Sequence, residues 1–170
     1  GIVTSSNIGA NYADVISKGV DITTDYFNSN SNSENETVTN RETILAEDRF
    51  FTNSRSSDVT DNQNHSVNAR LDVKIDSTLL LNIRPAFSYG QSQASSLSSA
   101  ESFNSNNELI NTSSAENFSD NQRKNFSNRI DLTKRLGNKG SSLRFGFNTA
   151  FNTADDEIFL QSEALFQDAN

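Results

Sequence analysis

The sequence predicts an all-β protein, an antiparallel meander of about six long strands that is part of a large transmembrane β-barrel. Two neighbouring segments, 66–75 and 79–90, support this prediction because apolar and polar side chains alternate along them almost without error. Successive side chains of a strand point to opposite faces, so each segment has one apolar face and one polar, charged face. Nothing else in the chain is predicted to cover the apolar face, which favours lipid as its cover.

The composition is typical of strands that face lipid on one side only. Hydrophobic residues make up 33% of the chain and its mean hydropathy is -0.64, although it contains 12 Phe. In a transmembrane barrel only every second residue over about ten positions has to be apolar. A run of about 18 apolar residues, which a membrane-spanning helix needs, does not occur.

Polar turns divide the chain into hairpins. Compact turns are predicted at 17–19, 76–78 and 137–140, with looser polar stretches at 40–47 and 104–109. The strands are expected at about 3–16, 20–38, 49–75, 79–101, 110–136 and 141–165. The whole chain, 1–170, then forms one partial barrel without a plug domain. The sequence has no Met, so residue 1 is not an initiator, and we expect a processed product or a piece of a longer protein.

The alternation also predicts a register, because directly opposed residues of antiparallel strands share a face. For the central hairpin we expect the pairs Ile75–Leu79, Val73–Leu81, Leu71–Ile83 and Val67–Phe87. The first hairpin is expected to pair Ile16 with Val20, with Gly19 in a left-handed conformation. For the last hairpin we expect the pairs Leu136–Leu143, Leu132–Phe147 and Ile130–Thr149.

Two sets of residues follow from this register. The residues expected to face lipid are Val67, Leu71, Val73, Ile75, Leu79, Leu81, Ile83, Phe87, Tyr89, Phe126, Ile130, Leu132, Phe145, Phe147 and Phe151. The residues expected to face the barrel lumen are Arg70, Asp72, Lys74, Arg84, Arg129, Asp131 and Arg144. The lumen charges are expected to form a mutually neutralising ladder that wets the interior or packs a plug. Binding or steering of an anionic solute is the alternative.

The apolar stripes adjoin the compact turns, whereas the far half of each strand is rich in Ser, Asn and Asp. About nine to eleven tilted residues cross a bilayer, so the remainder is expected to project into water. Short turns of such barrels are periplasmic and long loops are extracellular. We therefore expect Lys18, Ser77 and Asn138 in the periplasm, and Glu42 and Asn106 outside the cell.

Four stretches resemble a known family: NHSVNARLDV, KIDSTLLLNIRPAFSYGQSQASS, NFSNRIDLTKRLGNKGSSLRFGFNTAFN and SKGVDITTDYFNSNSNSENETVTNRETIL. They are similar to the barrel of Bacteroidota-type TonB-dependent-receptor-like outer-membrane proteins. The resemblance implies a cell outer-membrane location and a barrel of about 22 strands, of which this chain is a fragment. It implies as partners the outer-membrane bilayer, the remainder of the barrel, a plug, a TonB-type coupling protein and a surface lipoprotein.

Few residues suggest bond chemistry, and we expect no catalytic residue, no cofactor, no metal site and no enzyme activity. His65 is the only His and the chain has no Cys, which disfavours a zinc site or a histidine triad, so His65 is expected in a solvated strand position. The acidic run 155–157 lacks the spacing of a calcium loop and is interpreted as a solvated patch. A net charge of -8 argues against nucleic-acid binding.

Three functions remain open at this level. The first, implied mainly by the resemblance, is solute uptake through an outer-membrane barrel that is energised from the inner membrane. The second is a barrel subunit that transports nothing and scaffolds a secretion, assembly or surface-lipoprotein complex. The third is a water-soluble adhesin sheet. A plug with a coupling box in the complete gene favours the first over the second, and partitioning into water without detergent indicates the third.

Overall fold

Six antiparallel strands form one sheet in sequence order, as the computed structural model shows for residues 1–45, 48–137 and 140–167. No helix occurs among these residues, so none of them belongs to an apolar helix long enough to cross a membrane. The all-β antiparallel meander predicted from the sequence is confirmed. The strands are β1 (Ile2–Ser17), β2 (Val20–Ile44), β3 (Arg49–Lys74), β4 (Leu79–Phe103), β5 (Leu109–Leu136) and β6 (Ser141–Phe166).

The register of the central hairpin is the predicted one. Val73 pairs with Leu81, and the backbone N–H of Ile75 donates to the carbonyl oxygen of Leu79 at 3.0 Å. The other two confirmed pairs are Leu71–Ile83 and Val67–Phe87. The apolar alternation excludes a slip by one residue, which would move every apolar side chain to the other face, and the length of the turn at 76–78 sets the rest of the register.

The first and last hairpins differ from the prediction. Gly19 is left-handed as expected, with φ 84°, but Val20 pairs with Ser17 instead of Ile16, next to a strand irregularity. In the last hairpin the predicted pairs are wrong by two residues, since the observed ones are Leu136–Ser141, Leu132–Phe145 and Ile130–Phe147. A shift of two keeps every side chain on its predicted face and places more phenylalanines opposite apolar partners.

The far ends of the hairpins are also tighter than predicted. Strand β2 continues to Ile44, and Asn104 closes the β4–β5 loop by accepting hydrogen bonds from the backbone N–H groups of Asn106 and Glu108, each at 2.9 Å. Backbone pairing needs no apolar side chain, so the polar segment 39–44 stays in the sheet opposite β3. The polar stretch predicted at 40–47 is therefore strand as far as Ile44, whereas the stretch predicted at 104–109 is a loop at 104–108.

The seam between β3 and β4 contains one gap. The pairs run without interruption to Asn68–Ala86 and resume at Leu71–Ile83. Pro85 lies within this gap, and proline has no N–H to donate to the ladder. Equal numbers of residues are skipped on both strands, so the register is unchanged and Arg70 lies beside Arg84.

This sheet has no hydrophobic core of its own. The described residues include no buried apolar side chain, and they show no contact between β1 and β6, so the sheet is a single open layer. Its accessible surface is 12435 Å², whereas a compact globular protein of this mass exposes about 8,300 Å². Both faces and both edges of the layer therefore lack a covering partner within the described chain.

Candidate membrane and interior surfaces

The register divides the side chains between two faces, which we call the Val73 face and the Asp72 face. On the Val73 face lie the residues predicted to face lipid, and on the Asp72 face those predicted to face a lumen. Ile75 follows the last residue of β3 and continues the pattern of the Val73 face. Which medium covers each face remains a prediction.

An apolar band occupies the half of the Val73 face that adjoins the compact turns. Most positions in its rows are apolar, and one row consists of Ala10, Tyr26, Val67, Phe87, Phe126 and Phe151. The polar residues within the band are Asp14, Thr24, Asn128, Lys134 and Thr149. Phe126 and Phe151 stack with ring centroids 6.3 Å apart. Phe145, Phe147 and Phe151 each expose more than half of their surface, which is costly for large apolar side chains in water.

A stack of three aromatic rings lies at the edge of this band that is further from the compact turns. His65 lies between Tyr26 and Tyr89, with ring centroids 6.1 and 6.2 Å away. Its Nδ1 lies 2.8 Å from the hydroxyl of Tyr26, and its Nε2 lies 2.9 Å from the side-chain nitrogen of Gln63. His65 is therefore half-buried and hydrogen-bonded, which corrects the expectation of a simply solvated position.

The rows beyond the stack are mostly polar on both faces, with apolar exceptions such as Val59, Leu97 and Phe118. On the Val73 face Asp120 accepts hydrogen bonds from the side-chain amides of Gln93 and Gln91 at 3.0 Å, and these bonds lower its pKa. Arg55 forms an exposed ion pair with Glu36 at 3.1 Å. The two halves of the Val73 face therefore suit two different media, one apolar and one aqueous.

The Asp72 face carries paired charges at the level of the apolar band. Asp131, only 4% exposed, accepts hydrogen bonds from Arg129 at 2.8 Å and from Arg144 at 3.2 Å. Asp72 pairs with Arg70 at 2.7 Å and also accepts a hydrogen bond from the side-chain nitrogen of Asn82. Five of the seven predicted lumen charges thus take part in local ion pairs, with Arg129 and Arg144 sharing the carboxylate of Asp131.

A groove of about 550 Å³ lies on the same face, further from the compact turns than these pairs. Its lining is mostly polar and uncharged, with Gly90 at its centre and Arg123 on β5. A side chain at Gly90 would reach Asn64, since an added Cβ would lie 3.0 Å from the Asn64 side-chain oxygen. A side chain at Gly90 would therefore require the Asn64 side chain to shift.

The compact turn between β3 and β4 is held by one carboxylate. Asp76 accepts hydrogen bonds from the Thr78 hydroxyl at 2.7 Å, from the Thr78 N–H at 2.6 Å and from the Leu79 N–H at 2.8 Å. These bonds, with Lys134 at 3.6 Å, lower the pKa of Asp76 to about 2. At the compact turn predicted at 137–140, Gly137 and Gly140 are left-handed, and Asn138 lies outside the described residues.

Comparison with known proteins gives only weak similarities. No protein-family model and no curated protein matches the chain. Among solved structures, the membrane pore complex of pneumolysin has a TM-score of 0.25 at 7% identity, over 98% of this chain and 32% of that one. OmpT, an outer membrane protein of Vibrio cholerae, has 0.19 at 6%, over 90% and 64%. The ferric yersiniabactin uptake receptor FyuA from Yersinia pestis has 0.18 at 8%, over 95% and 43%.

These TM-scores are too low to indicate a shared fold. The chain spans about a third of the pneumolysin chain and somewhat less than two thirds of OmpT. Several of the weak neighbours are outer-membrane proteins. The architecture described above therefore rests on the register and burial of this chain itself.

Two parts of these surfaces were not predicted from the sequence. The stack around His65 needed the register of β2 against β3, which places Asn28 opposite His65. The pairing of Arg84 with Arg129 on the Asp72 face needed the register of β4 against β5 across the 104–108 loop. Polar residues near that loop give no apolar alternation from which a register could be predicted.

Proposed function

We propose that this chain is part of an outer-membrane β-barrel that takes up solutes, of the TonB-dependent type. The observation that supports this most directly is the apolar band, which lies uncovered on one face of a single-layer sheet. From Leu79 to Phe87 the band spans about 30 Å of strand, and with the usual tilt of barrel strands it matches an outward apolar band of about 25 Å. Lipid chains are proposed to cover it.

Three further features support a membrane position. The stack of Tyr26, His65 and Tyr89 lies at the edge of the band, where transmembrane barrels carry aromatic girdles. The charges on the Asp72 face suit a water-filled or plugged interior. Strand β3 has 26 residues and is about 85 Å long, so it reaches far beyond a hydrocarbon core of about 30 Å.

The open edges of β1 and β6 require a partner. Unpaired backbone groups are not tolerated in hydrocarbon, so further strands must close the sheet. In this proposal the remaining strands, a plug inside the barrel and a TonB-type coupling protein complete the transporter, and a surface lipoprotein covers its outer end. The chain itself performs no bond chemistry. Its residues separate lipid from a polar passage.

Two measurements on the protein as its gene encodes it test this proposal. We expect the protein to remain in the outer-membrane fraction after an alkaline wash and to need detergent for extraction. We expect a strain without the gene to lose uptake of particular solutes while other outer-membrane proteins keep their abundance. Recovery in the aqueous fraction would contradict the membrane assignment. Loss of other surface proteins with normal solute uptake would instead support the scaffold.

A further inference from the structure

Three arginines lie side by side on the Asp72 face at mid-height of the apolar band. Arg84 on β4 is directly opposite Arg129 on β5, and the register places Arg70 of β3 on its other side. We call these three residues the arginine row. Like charges in directly opposed positions destabilise a sheet unless a charge of the other sign compensates them.

The next row towards the compact turn compensates only the two outer arginines. It contains Asp72, Asn82 and Asp131 on the same three strands. Asp72 pairs with Arg70, and Asp131 pairs with Arg129. Strands β3 and β5 therefore both carry an arginine and an aspartate two residues apart, whereas β4 carries an arginine and an asparagine.

Arg84 consequently keeps an uncompensated positive charge. It forms no ion pair and no side-chain hydrogen bond with any residue of the described chain, and it is exposed. Asn82, only 7% exposed, donates its amide to Asp72, and its side-chain oxygen has no partner among the described residues. Asn82 thus offers Arg84 an uncharged oxygen and leaves the guanidinium available for an anion.

The surroundings of Arg84 on this face are basic although the chain as a whole is acidic. In the rows that lie behind the apolar band, the acidic residues on the Asp72 face are Asp21 and Asp25 of β2, Asp72 of β3 and Asp131 of β5. The basic residues on the same face and level are Arg70, Lys74, Arg84, Arg129, Arg135 and Arg144. This local excess of positive charge contrasts with the net charge of -8 of the chain.

We propose that Arg84, supported by Arg70 and Arg129, binds the carboxylate or phosphate group of a small anionic solute, an inference that rests on the proposed uptake function. Guanidinium groups bind both kinds of oxyanion through two parallel N–H donors. The groove around Gly90 lies on the same face further from the compact turns, and its only charged residue is Arg123. An anion that enters this groove meets further positive charge towards Arg84.

The test measures binding of inorganic phosphate to the detergent-solubilised protein, as its gene encodes it, by equilibrium dialysis at low ionic strength. We expect Arg84→Gln to weaken phosphate binding about tenfold or more, since it removes a charged hydrogen-bonding group. Arg55→Gln is the control, because it removes the same charge from the polar half of the Val73 face. It should leave phosphate binding within about twofold of the unmodified protein.

A second variant keeps all arginines in place. Asn82→Asp supplies the missing carboxylate beside Arg84, so phosphate binding should fall although no positive group is lost. Circular dichroism checks that each variant retains its strand content. Unchanged phosphate binding in both Arg84→Gln and Asn82→Asp would overturn the proposal. Absence of phosphate binding in the unmodified protein would overturn the proposal as well. This result is expected if an acidic side chain of the protein itself pairs with Arg84.

The outcome can be separated from that of the proposed function. Phosphate binding in detergent needs only the folded protein, whereas uptake is measured in cells. Suppose that phosphate binding depends on Arg84 but deletion of the gene leaves all solute uptake intact. This result would contradict the transport proposal and support the anion site. Normal uptake of neutral solutes without phosphate binding would remove only the anion site.

Discussion

Leu80 and Leu81 are neighbours in β4 but lie on opposite faces of the sheet. Leu81 is opposite Val73 and Leu132, within the apolar band. Leu80 is opposite Thr133 and Lys74, on the face that carries the charged pairs. The same substitution at these two positions therefore compares the two faces at one depth and on one strand.

Replacing Leu81 with Arg should destabilise the protein in lipid by about 1–3 kcal/mol, between the values expected near the interface and at the midplane. Leu80→Arg places the same side chain on the charged face, and repulsion from Lys74 should cost less than about 1 kcal/mol. Urea unfolding of the protein folded into lipid vesicles measures both. Equal destabilisation by the two variants would show that lipid does not cover the Val73 face.

The observed register of the last hairpin can be tested by cross-linking. The chain contains no Cys, so the double variant with Leu132→Cys and Phe145→Cys gives one possible disulfide. These positions are directly opposed, with Cβ atoms about 5 Å apart, whereas Leu132 and Phe147 are diagonal neighbours at about 7 Å. Mild oxidation should link the first pair much faster than the second, as judged by mass spectrometry of peptides. Faster linkage of Leu132→Cys with Phe147→Cys would contradict the observed register and support the one predicted from the sequence.

The hydrogen bonds to Asp76 predict a stability that depends on pH. The pKa of Asp76 is lowered from 3.8 to about 2, so its contribution is fully present above pH 3.8 and is lost as the pH falls through about 2. Asp76→Ala should therefore lower the midpoint of thermal unfolding near neutral pH, and the difference should shrink between pH 3.8 and 2.

Circular dichroism in detergent measures these midpoints. Asp156→Ala is a suitable control because Asp156 lies in β6, and its carboxylate accepts no side-chain hydrogen bond from the described chain. It should produce no pH-dependent difference in this window. A constant difference between Asp76→Ala and the unmodified protein down to pH 2 would contradict the assigned role of the carboxylate.

The orientation of the sheet in the membrane gives a fourth prediction. Glu42 lies at the far end of β2, where it pairs with Arg49 at 2.9 Å, and Ser77 lies in the compact turn beside the apolar band. With cysteine at each position in turn, a membrane-impermeant maleimide added to intact cells should label the Glu42 position only. Labelling at Ser77 alone would reverse the orientation.

The sequence predicted the central part of this fold because the apolar alternation there is strong. The alternation of Val67 to Ile75 against Leu79 to Tyr89 excludes a slip by one residue, and the three-residue turn at 76–78 selects among the registers of equal parity. The structure has the register predicted in this way. The last hairpin was predicted two residues out because such a shift leaves parity unchanged, so alternation alone cannot distinguish Leu132–Phe145 from Leu132–Phe147.

The Asp72 face was predictable only in part. The alternation identified Arg70, Arg84 and Arg129 as residues of one face. Their arrangement in one row depends on how β4 pairs with β5 across a polar loop, where no apolar pattern sets the register. The hydrogen bonds of Asn104 and the left-handed conformation of Asn107, at φ 65°, determine that loop. Neither feature is visible as a hydrophobic pattern.

The missing ladder bonds around Pro85 give the sheet a mechanical weak point. Every other seam carries continuous pairing at this height, whereas β3 and β4 lose two successive pairs beside Arg84. Lateral tension on the sheet would therefore separate β3 from β4 first. Amide protons that flank the gap should exchange with deuterium faster than those of the β4–β5 seam. A fissure there would open beside Arg84, the member of the arginine row that has no carboxylate partner among the described residues.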